Sequence, residues 1–270
     1  TAVVVVSPKP VVFAGGEVCV GSNITLSPAT GGTWSSSNIS IASVTNAGLV
    51  TGIAAGNATF TFTNSTTGCS NTTAAVTIHP VPLATITSAD VSICNNGGNT
   101  LITGTVSANG NWLLTLSNGA TATGTGNGSF SIAVSPVIST LYTIASLDDE
   151  NCSALPGGLS GSTFVTVYEP VSIVTQPAPS QTICSSFPVS FSVSATGTGL
   201  NYQWYFGATP LTDNANISGS NTAVLNIAQA AMADAGTYRV LISATAPCTA
   251  VFSDDAVLTV IQDIEIIEQP

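Results

Sequence analysis

The sequence predicts an all-β chain of three consecutive β-sandwiches. Runs rich in β-branched residues recur at 2–6, 75–79, 163–168 and 256–260, and prolines closely follow the first three. Such a run is expected to be the closing strand of a sandwich, because proline cannot donate to a strand ladder. Each repeat also has one tryptophan on an early strand: Trp34, Trp112 and Trp204. No helix of ordinary length is indicated, and the alanine-rich residues 228–235 are interpreted as a short turn.

The closing strands set the predicted domain boundaries. We expect 10–80 (repeat 1), 81–169 (repeat 2) and 170–262 (repeat 3) to be complete domains. We interpret 1–9 as the closing strand of a preceding domain with its linker, and 263–270 as the start of a following domain. The segment Ile173-Val-Thr-Gln-Pro177 opens repeat 3 and is echoed by Ile266-Ile-Glu-Gln-Pro270. The chain is therefore predicted to be a fragment of a longer array of roughly 90-residue units, folded as an elongated rod.

Composition excludes several kinds of partner. Only 6% of the 270 residues are charged, two are basic, and the formal net charge is −11. Nucleic-acid binding requires lysine and arginine to displace phosphate counterions, so no nucleic-acid partner is expected. Anionic membrane surfaces repel such a chain, and no apolar run approaches the roughly 20 residues of a spanning helix. Direct membrane insertion is therefore not expected.

Repeat 1 carries an ordered series of short motifs. It reads Trp34-Ser-Ser-Ser-Asn38, Ala42-Ser-Val44, Gly48-Leu-Val-Thr-Gly52 and Ala55-Gly-Asn-Ala-Thr-Phe60. The series resembles the group 2 bacterial immunoglobulin-like (Ig-like) repeat over nearly the whole unit. Repeat 2 has a tryptophan, Trp112, on an early strand and a tyrosine, Tyr142, on a late one. It resembles the PKD-like or Ig-like repeats of very large secreted proteins of the Bacteroidota.

Repeat 3 contains Tyr202-Gln-Trp204 and, later, Asp234-Ala-Gly-Thr-Tyr238. This combination resembles intermediate-type Ig domains. The resemblance implies that Tyr238 closes a corner by hydrogen-bonding backward, and that Val240 faces Trp204 in the core. It departs from the family in the missing inter-sheet disulfide, because Phe191 and Val240 stand roughly where those cysteines would be. The other residues expected to face inward are Val189, Val193, Leu225, Ile227 and Ile242.

Six cysteines occur, two in each repeat at similar positions: Cys19, Cys69, Cys94, Cys152, Cys184 and Cys248. No Cys-x-x-Cys pair is present, so a structural zinc site is not indicated. We predict one disulfide within each repeat: Cys19–Cys69, Cys94–Cys152 and Cys184–Cys248. Such bonds would staple one end of each sandwich and imply an oxidising, extracellular setting.

No catalytic residue is predicted. The single histidine, His79, lies between a closing strand and Pro80 and is interpreted as an incidental linker residue. The acidic cluster of Asp148, Asp149 and Glu150 offers hard oxygen ligands, so either a Ca²⁺ site or a solvated loop is open there. Similar acidic groups occur at 254–255 and at 263, 265 and 268. No other cofactor is expected, and the chain is not expected to be an enzyme.

The family resemblances imply a function only at the level of class. They imply a structural stalk or filament segment of a giant cell-surface adhesin or appendage of the Bacteroidota, exported by a type IX system. Attachment, gliding or prey capture are the implied uses. Its partners would be the neighbouring Ig-like domains of the same long chain, and a homo-oligomeric bundle or filament stays open. The alternative is a set of glycan- or protein-binding modules of a secreted polysaccharide-degrading enzyme.

Overall fold

The computed structural model describes residues 7–14 and 16–262. The all-β, tandem Ig-like fold class is confirmed. Helical geometry in the described residues is limited to two 3-10 turns, Pro156–Gly158 and Met232–Asp234, and the second lies in the alanine-rich stretch predicted to be a turn. Within that part of the chain, no helix is long and apolar enough to cross a membrane. The predicted strand at 2–6 and the predicted domain start at 263–270 lie outside the described residues.

Among its described residues, repeat 1 contains nine short strands. They are β1 (Val18–Cys19), β2 (Asn23–Thr25), β3 (Gly32–Ser36), β4 (Ala42–Val44), β5 (Leu49–Gly52), β6 (Gly56–Ala58), β7 (Phe60–Asn64), β8 (Ser70–Thr72) and β9 (Val76–His79). These strands form three sheets with the orders β1-β9-β6, β2-β5-β4 and β3-β7-β8. Alternating burial along β7 and β9 directs Phe60, Phe62, Val76 and Ile78 into one core with Trp34.

Repeat 2 contains ten strands. They are β10 (Leu83–Ile86), β11 (Val91–Cys94), β12 (Thr100–Ser107), β13 (Asn111–Leu116), β14 (Thr121–Thr125), β15 (Gly128–Val134), β16 (Thr140–Tyr142), β17 (Ile144–Asp149), β18 (Leu159–Ser160) and β19 (Thr163–Tyr168). The sheet orders are β15-β12-β10-β18, β14-β13-β17 and β11-β19-β16. Trp112 and Tyr142 are 5% and 2% exposed, so both side chains are core residues.

Repeat 3 contains eleven strands. They are β20 (Ser172–Thr175), β21 (Ser180–Cys184), β22 (Val189–Ser192), β23 (Ser194–Thr196), β24 (Asn201–Phe206), β25 (Thr209–Pro210), β26 (Ile217–Ser218), β27 (Val224–Ile227), β28 (Gly236–Ser243), β29 (Val251–Phe252) and β30 (Ala256–Ile261). The largest sheet runs β21-β30-β28-β24-β25, with β29 on β28, and faces β22-β27-β26 across the core. Every inward-facing residue expected from the sequence is buried there.

The tryptophan of repeat 3 is held as the Ig resemblance implied. Trp204 and Val240 are paired across β24 and β28, and both are fully buried. The Tyr238 hydroxyl donates to the Asp234 carbonyl oxygen at 2.8 Å, which closes the corner before β28. Burial, with a smaller contribution from the Asp234 charge, raises the pKa of Tyr238 and keeps this hydroxyl protonated as a donor.

The chain divides into two compact units. The first comprises the described residues up to Ala89 together with Leu101–Val134 and Leu141–Thr163, and the second comprises Asp90–Thr100, Ser135–Thr140 and the described residues from Phe164. The boundary therefore falls within repeat 2. The predicted boundaries at 80/81 and 169/170 stay a prediction from sequence.

Candidate functional site: the disulfide-linked repeat ends

Two disulfides join consecutive repeats. Cys19 of repeat 1 is bonded to Cys152 of repeat 2, with their Cα atoms 5.9 Å apart. Cys94 of repeat 2 is bonded to Cys248 of repeat 3, with their Cα atoms 5.1 Å apart. Both distances lie within the usual range for disulfides. Each bond lies within one compact unit.

These bonds correct the pairing predicted from sequence. The structure contains none of the three within-repeat bonds, which were Cys19–Cys69, Cys94–Cys152 and Cys184–Cys248. Four of the six cysteines predicted to be paired are bonded, and Cys69 and Cys184 are free thiols. The assumption that failed was that each repeat is a closed covalent unit.

Strand direction explains why the within-repeat pairing is wrong. In each repeat a strand that we call the entry strand (β1, β11 or β21) runs parallel to the closing strand (β9, β19 or β30). The entry strand of repeat 3 ends at Cys184, opposite Ile261 at the end of β30. Cys248 follows β28, which runs antiparallel to β30 and passes the start of β30 where Tyr238 pairs with Ala256, so Cys248 lies beyond that start. The two cysteines are thus placed at opposite ends of a six-residue strand, which is roughly 20 Å long. A disulfide requires Cα atoms about 4.4–6.8 Å apart.

The second cysteine of each repeat lies in what we call the late loop. This loop follows the strand that pairs with the tryptophan-bearing strand, and it spans 65–69, 150–155 or 244–250. Both bonds therefore follow one rule. The last residue of the entry strand in one repeat is bonded to the late-loop cysteine of the next.

An aspartate organises the late loop of repeat 2. Asp149 Oδ1 accepts hydrogen bonds from the backbone N–H groups of Asn151 at 2.9 Å and Cys152 at 2.7 Å, and Oδ2 accepts one from Asn109 at 3.0 Å. The residue before it, Asp148, accepts a hydrogen bond from the Ser153 hydroxyl. Asp149 thus fixes the backbone that presents Cys152 to Cys19.

The same hydrogen bonds involve two of the three residues considered as Ca²⁺ ligands, Asp148, Asp149 and Glu150. The Asp149 carboxylate faces N–H donors, which occupy the lone pairs that a cation would need. Asp148 is engaged with Ser153, and Glu150 is exposed. Among the described residues, no group of three or more histidine, cysteine, aspartate or glutamate side chains is placed to hold a metal ion. The arrangement is that of a self-capped loop.

The single histidine lies beside Cys19 of the Cys19–Cys152 bond, which we call the first junction. His79 is the last residue of β9 and lies opposite Cys19 in the parallel register. Its Nε2 atom is 2.8 Å from Glu17 Oε2. The sequence interpretation as an incidental linker residue is wrong in placement, because His79 is the last residue of the closing strand and pairs with a side chain beside the entry strand.

A hydrogen-bonded network lies beside the Cys94–Cys248 bond, which we call the second junction. Glu169, in the linker after β19, donates its N–H to Thr198 Oγ1 at 2.9 Å and accepts the Thr198 N–H at 3.1 Å. The Thr198 carbonyl accepts the Thr245 N–H at 2.8 Å, and the Thr245 carbonyl accepts the Cys248 N–H at 3.1 Å. The Glu169 side chain accepts a hydrogen bond from Asn95 Nδ2 at 3.0 Å. The linker, one loop of repeat 3 and the late loop are therefore connected beside the Cys94–Cys248 bond.

Repeat 3 also has an aromatic cluster at its surface. Tyr205 packs edge-on against Phe252, with ring centroids 5.5 Å apart, and the Arg239 guanidinium lies 4.3 Å from the Phe252 centroid. Phe206 faces the other way, with its ring 5.0 Å from that of Tyr238. Of these two neighbouring residues of β24, Phe206 therefore packs on the core residue Tyr238 and Tyr205 packs on the surface residue Phe252. The Tyr205 ring packs against Phe252, which also contacts the Arg239 guanidinium.

Comparisons with known proteins agree with this architecture. Residues 1–76 match the family model described as Bacterial Ig-like domain (group 2). An I-band fragment of titin is similar with a TM-score of 0.57 and 13% identity, covering 91% of this chain and 95% of that one. The first four immunoglobulin domains of Sidekick-1 give a TM-score of 0.50 and 15% identity, covering 91% and 73%. At these identities the likeness concerns the fold alone.

The chain is thus a tandem array of Ig-like β-sandwich domains. No curated protein sequence matches it. Its consecutive repeats are covalently linked by Cys19–Cys152 and Cys94–Cys248. Sequence reasoning missed this link, because the parallel pairing of an entry strand with its closing strand joins segments far apart in sequence and leaves no local signal.

Proposed function

We propose that this chain is a load-bearing stalk segment of an extracellular adhesin or surface appendage. The observation that carries the proposal is the pair of disulfides between consecutive repeats. A binding module needs only its own fold to present a surface. Covalent links between neighbours matter chiefly when the connection itself must withstand force.

The two bonds shorten the covalent path along which tension travels. That path follows residues 7–19, crosses to Cys152, returns to Cys94, crosses to Cys248 and ends at 262, so it contains segments of 13, 59 and 15 residues. Without the bonds, tension runs through all of residues 7–262. About 170 residues are therefore protected from extension, equivalent to roughly 550–600 Å of unfolded chain.

The setting of the proposed stalk is extracellular, because disulfides persist in oxidising compartments. The low charge content, 6% of residues, leaves a neutral polar surface. A surface appendage of the Bacteroidota exported by a type IX system is the specific form we propose, and it rests on the resemblances of repeats 1 and 2. Attachment, gliding or prey capture would each load such a segment along its length.

Single-molecule force spectroscopy tests the stalk function. The 270-residue chain is pulled from its two ends with and without a reducing agent. We expect full unfolding to release roughly 550–600 Å more contour length after reduction. The matched control is the Cys69→Ser/Cys184→Ser variant, which retains both bonds and should behave like the unaltered chain under both conditions.

Equal contour lengths before and after reduction would contradict the proposal. A glycan array with the same chain provides the second arm. The stalk proposal expects no saturable binding, whereas a specific glycan signal would favour the accessory-module alternative.

A further inference from the structure

The two free cysteines occupy the same positions as the bonded ones. Cys184 is the last residue of its entry strand and lies opposite Ile261, the last residue of β30. Cys19 and Cys94 end their entry strands in the same way, opposite His79 and Tyr168. Repeat 3 therefore presents an entry-strand cysteine, Cys184, in the position from which Cys19 and Cys94 form their bonds.

Cys69 presents the other half, in a late loop built like that of Cys152. The Asn64 N–H donates to the Cys69 carbonyl at 2.9 Å, and the Asp149 N–H donates to the Cys152 carbonyl at 2.8 Å. Asn64 Oδ1 accepts the N–H groups two and three residues later, at 2.9 and 3.0 Å. Asp149 Oδ1 does the same for its own loop. Asparagine and aspartate thus make one turn that presents a cysteine.

The surroundings of the Cys69 sulfur match those of the bonded Cys248 sulfur. Cys248 Sγ lies 3.5 Å from the carbonyl oxygen of Tyr168, the residue opposite Cys94 at the end of the preceding closing strand. Cys69 Sγ lies 3.8 Å from the carbonyl oxygen of Ser7, just before repeat 1. The thiol of Cys69 is therefore next to the chain segment that enters its repeat, as the sulfur of Cys248 is.

We propose that Cys69 and Cys184 are the two halves of a third bond of the same kind, made with a further repeat of this type. Cys184 bonds the late-loop cysteine of a repeat that follows repeat 3, and Cys69 bonds the entry-strand cysteine of a repeat that precedes repeat 1. A second copy of this chain carries both complements. This inference rests on the repeated geometry and does not require the stalk function.

The chemistry is thiol–disulfide exchange with a low-molecular-weight disulfide such as oxidised glutathione. The Cys184 thiolate attacks one glutathione sulfur, and a reduced glutathione leaves. The Cys69 thiolate of a second chain then attacks the Cys184 sulfur of the mixed disulfide, and the second glutathione leaves. The two cysteines lose two electrons and two protons, which the two glutathione thiols receive.

The test uses two single variants of the 270-residue chain. Cys69→Ser retains only the Cys184 thiol, and Cys184→Ser retains only the Cys69 thiol. Each is incubated alone and in an equal mixture with oxidised glutathione, and the products are separated without reductant and mapped by mass spectrometry. Random pairing in the mixture would give heterodimers as half of all dimers. We expect the Cys184–Cys69 heterodimer in about tenfold excess over either homodimer.

The unaltered chain should give a ladder of multimers under the same conditions, and the double variant Cys69→Ser/Cys184→Ser should stay monomeric with Cys19–Cys152 and Cys94–Cys248 intact. Random dimer ratios would overturn the proposal. So would an unaltered chain whose two thiols close on each other within one molecule, or whose thiols both remain open to alkylation. The stalk function is judged separately by the force measurement, whose control variant lacks both thiols and retains both bonds.

Discussion

Each buried tryptophan combines a packed ring with one satisfied polar atom. The ring N–H groups of Trp34, Trp112 and Trp204 donate to backbone carbonyl oxygens at 2.9, 3.0 and 2.9 Å. A buried indole N–H without a partner would cost free energy. The donation to a nearby loop therefore fixes that loop against the core.

A glycine against Trp112 tests this packing. A Cβ at Gly124 would lie 2.2 Å from Trp112 Cζ2, whereas a Cβ at Gly128 would meet no atom within 4 Å. We expect Gly124→Ala to lower the free energy of unfolding by about 1–3 kcal/mol, because the ring must move. Urea unfolding measures it. Gly128→Ala is the matched control in the next strand, and equal losses in the two variants would refute the packing argument.

The tyrosine corner of repeat 3 gives a second test at this scale. Tyr238→Phe removes the hydroxyl that donates to the Asp234 carbonyl. We expect a loss of about 1 kcal/mol of unfolding free energy, the usual net contribution of one hydrogen bond. Tyr205→Phe is the control, since its ring contact with Phe252 is retained. Equal stability of Tyr238→Phe and the unaltered chain would show that the corner is closed by packing alone.

Among the elements, strands were easier to predict than their covalent connections. Alternation and the motif series placed the tryptophan strands, the closing strands and the 228–235 turn, because these depend on local sequence. Disulfide pairing depends on which ends of two strands meet. Cys184 pairs with Ile261, and Cys19 with His79, between parallel strands that are far apart in sequence. The alternation of apolar and polar residues along each strand therefore carries no information about this pairing.

The late loop is the element that presents the cysteine, and Asp149 is its organiser. Asp149→Ala removes the acceptor of three backbone N–H groups. We expect the Cys19–Cys152 bond to be reduced about tenfold faster than in the unaltered chain. This corresponds to a decrease of about 1.4 kcal/mol in the free energy of opening the late loop. Timed reduction followed by alkylation and mass spectrometry measures the rate. The Cys94–Cys248 bond in the same molecules is an internal reference.

Glu150→Ala is the control variant, because Glu150 is exposed on the same loop and its side chain does not organise the backbone of Cys152. It should leave both rates unchanged. If Glu150→Ala and Asp149→Ala accelerate reduction equally, then loss of negative charge near the sulfur, and not loss of loop order, would explain the effect.

For the whole molecule, the two bonds overlap along the chain. Cys19–Cys152 closes a loop of sequence separation 133, and Cys94–Cys248 closes one of 154, and each loop contains a cysteine of the other. Unfolding a repeat therefore extends only the part of it that lies on the covalent path, which is 7–19, 94–152 or 248–262. By a chain-entropy estimate, each bond contributes about 4–5 kcal/mol at these loop lengths, so we expect reduction to lower the unfolding temperature of the whole chain.

The central claim is that consecutive repeats are covalently linked, and a disulfide map tests it most directly. The chain is alkylated at its free thiols, digested without reductant and analysed by mass spectrometry. We expect peptides that join Cys19 to Cys152 and Cys94 to Cys248, with alkylated Cys69 and Cys184 in the monomer. Peptides that join Cys19 to Cys69, Cys94 to Cys152 and Cys184 to Cys248 would contradict it.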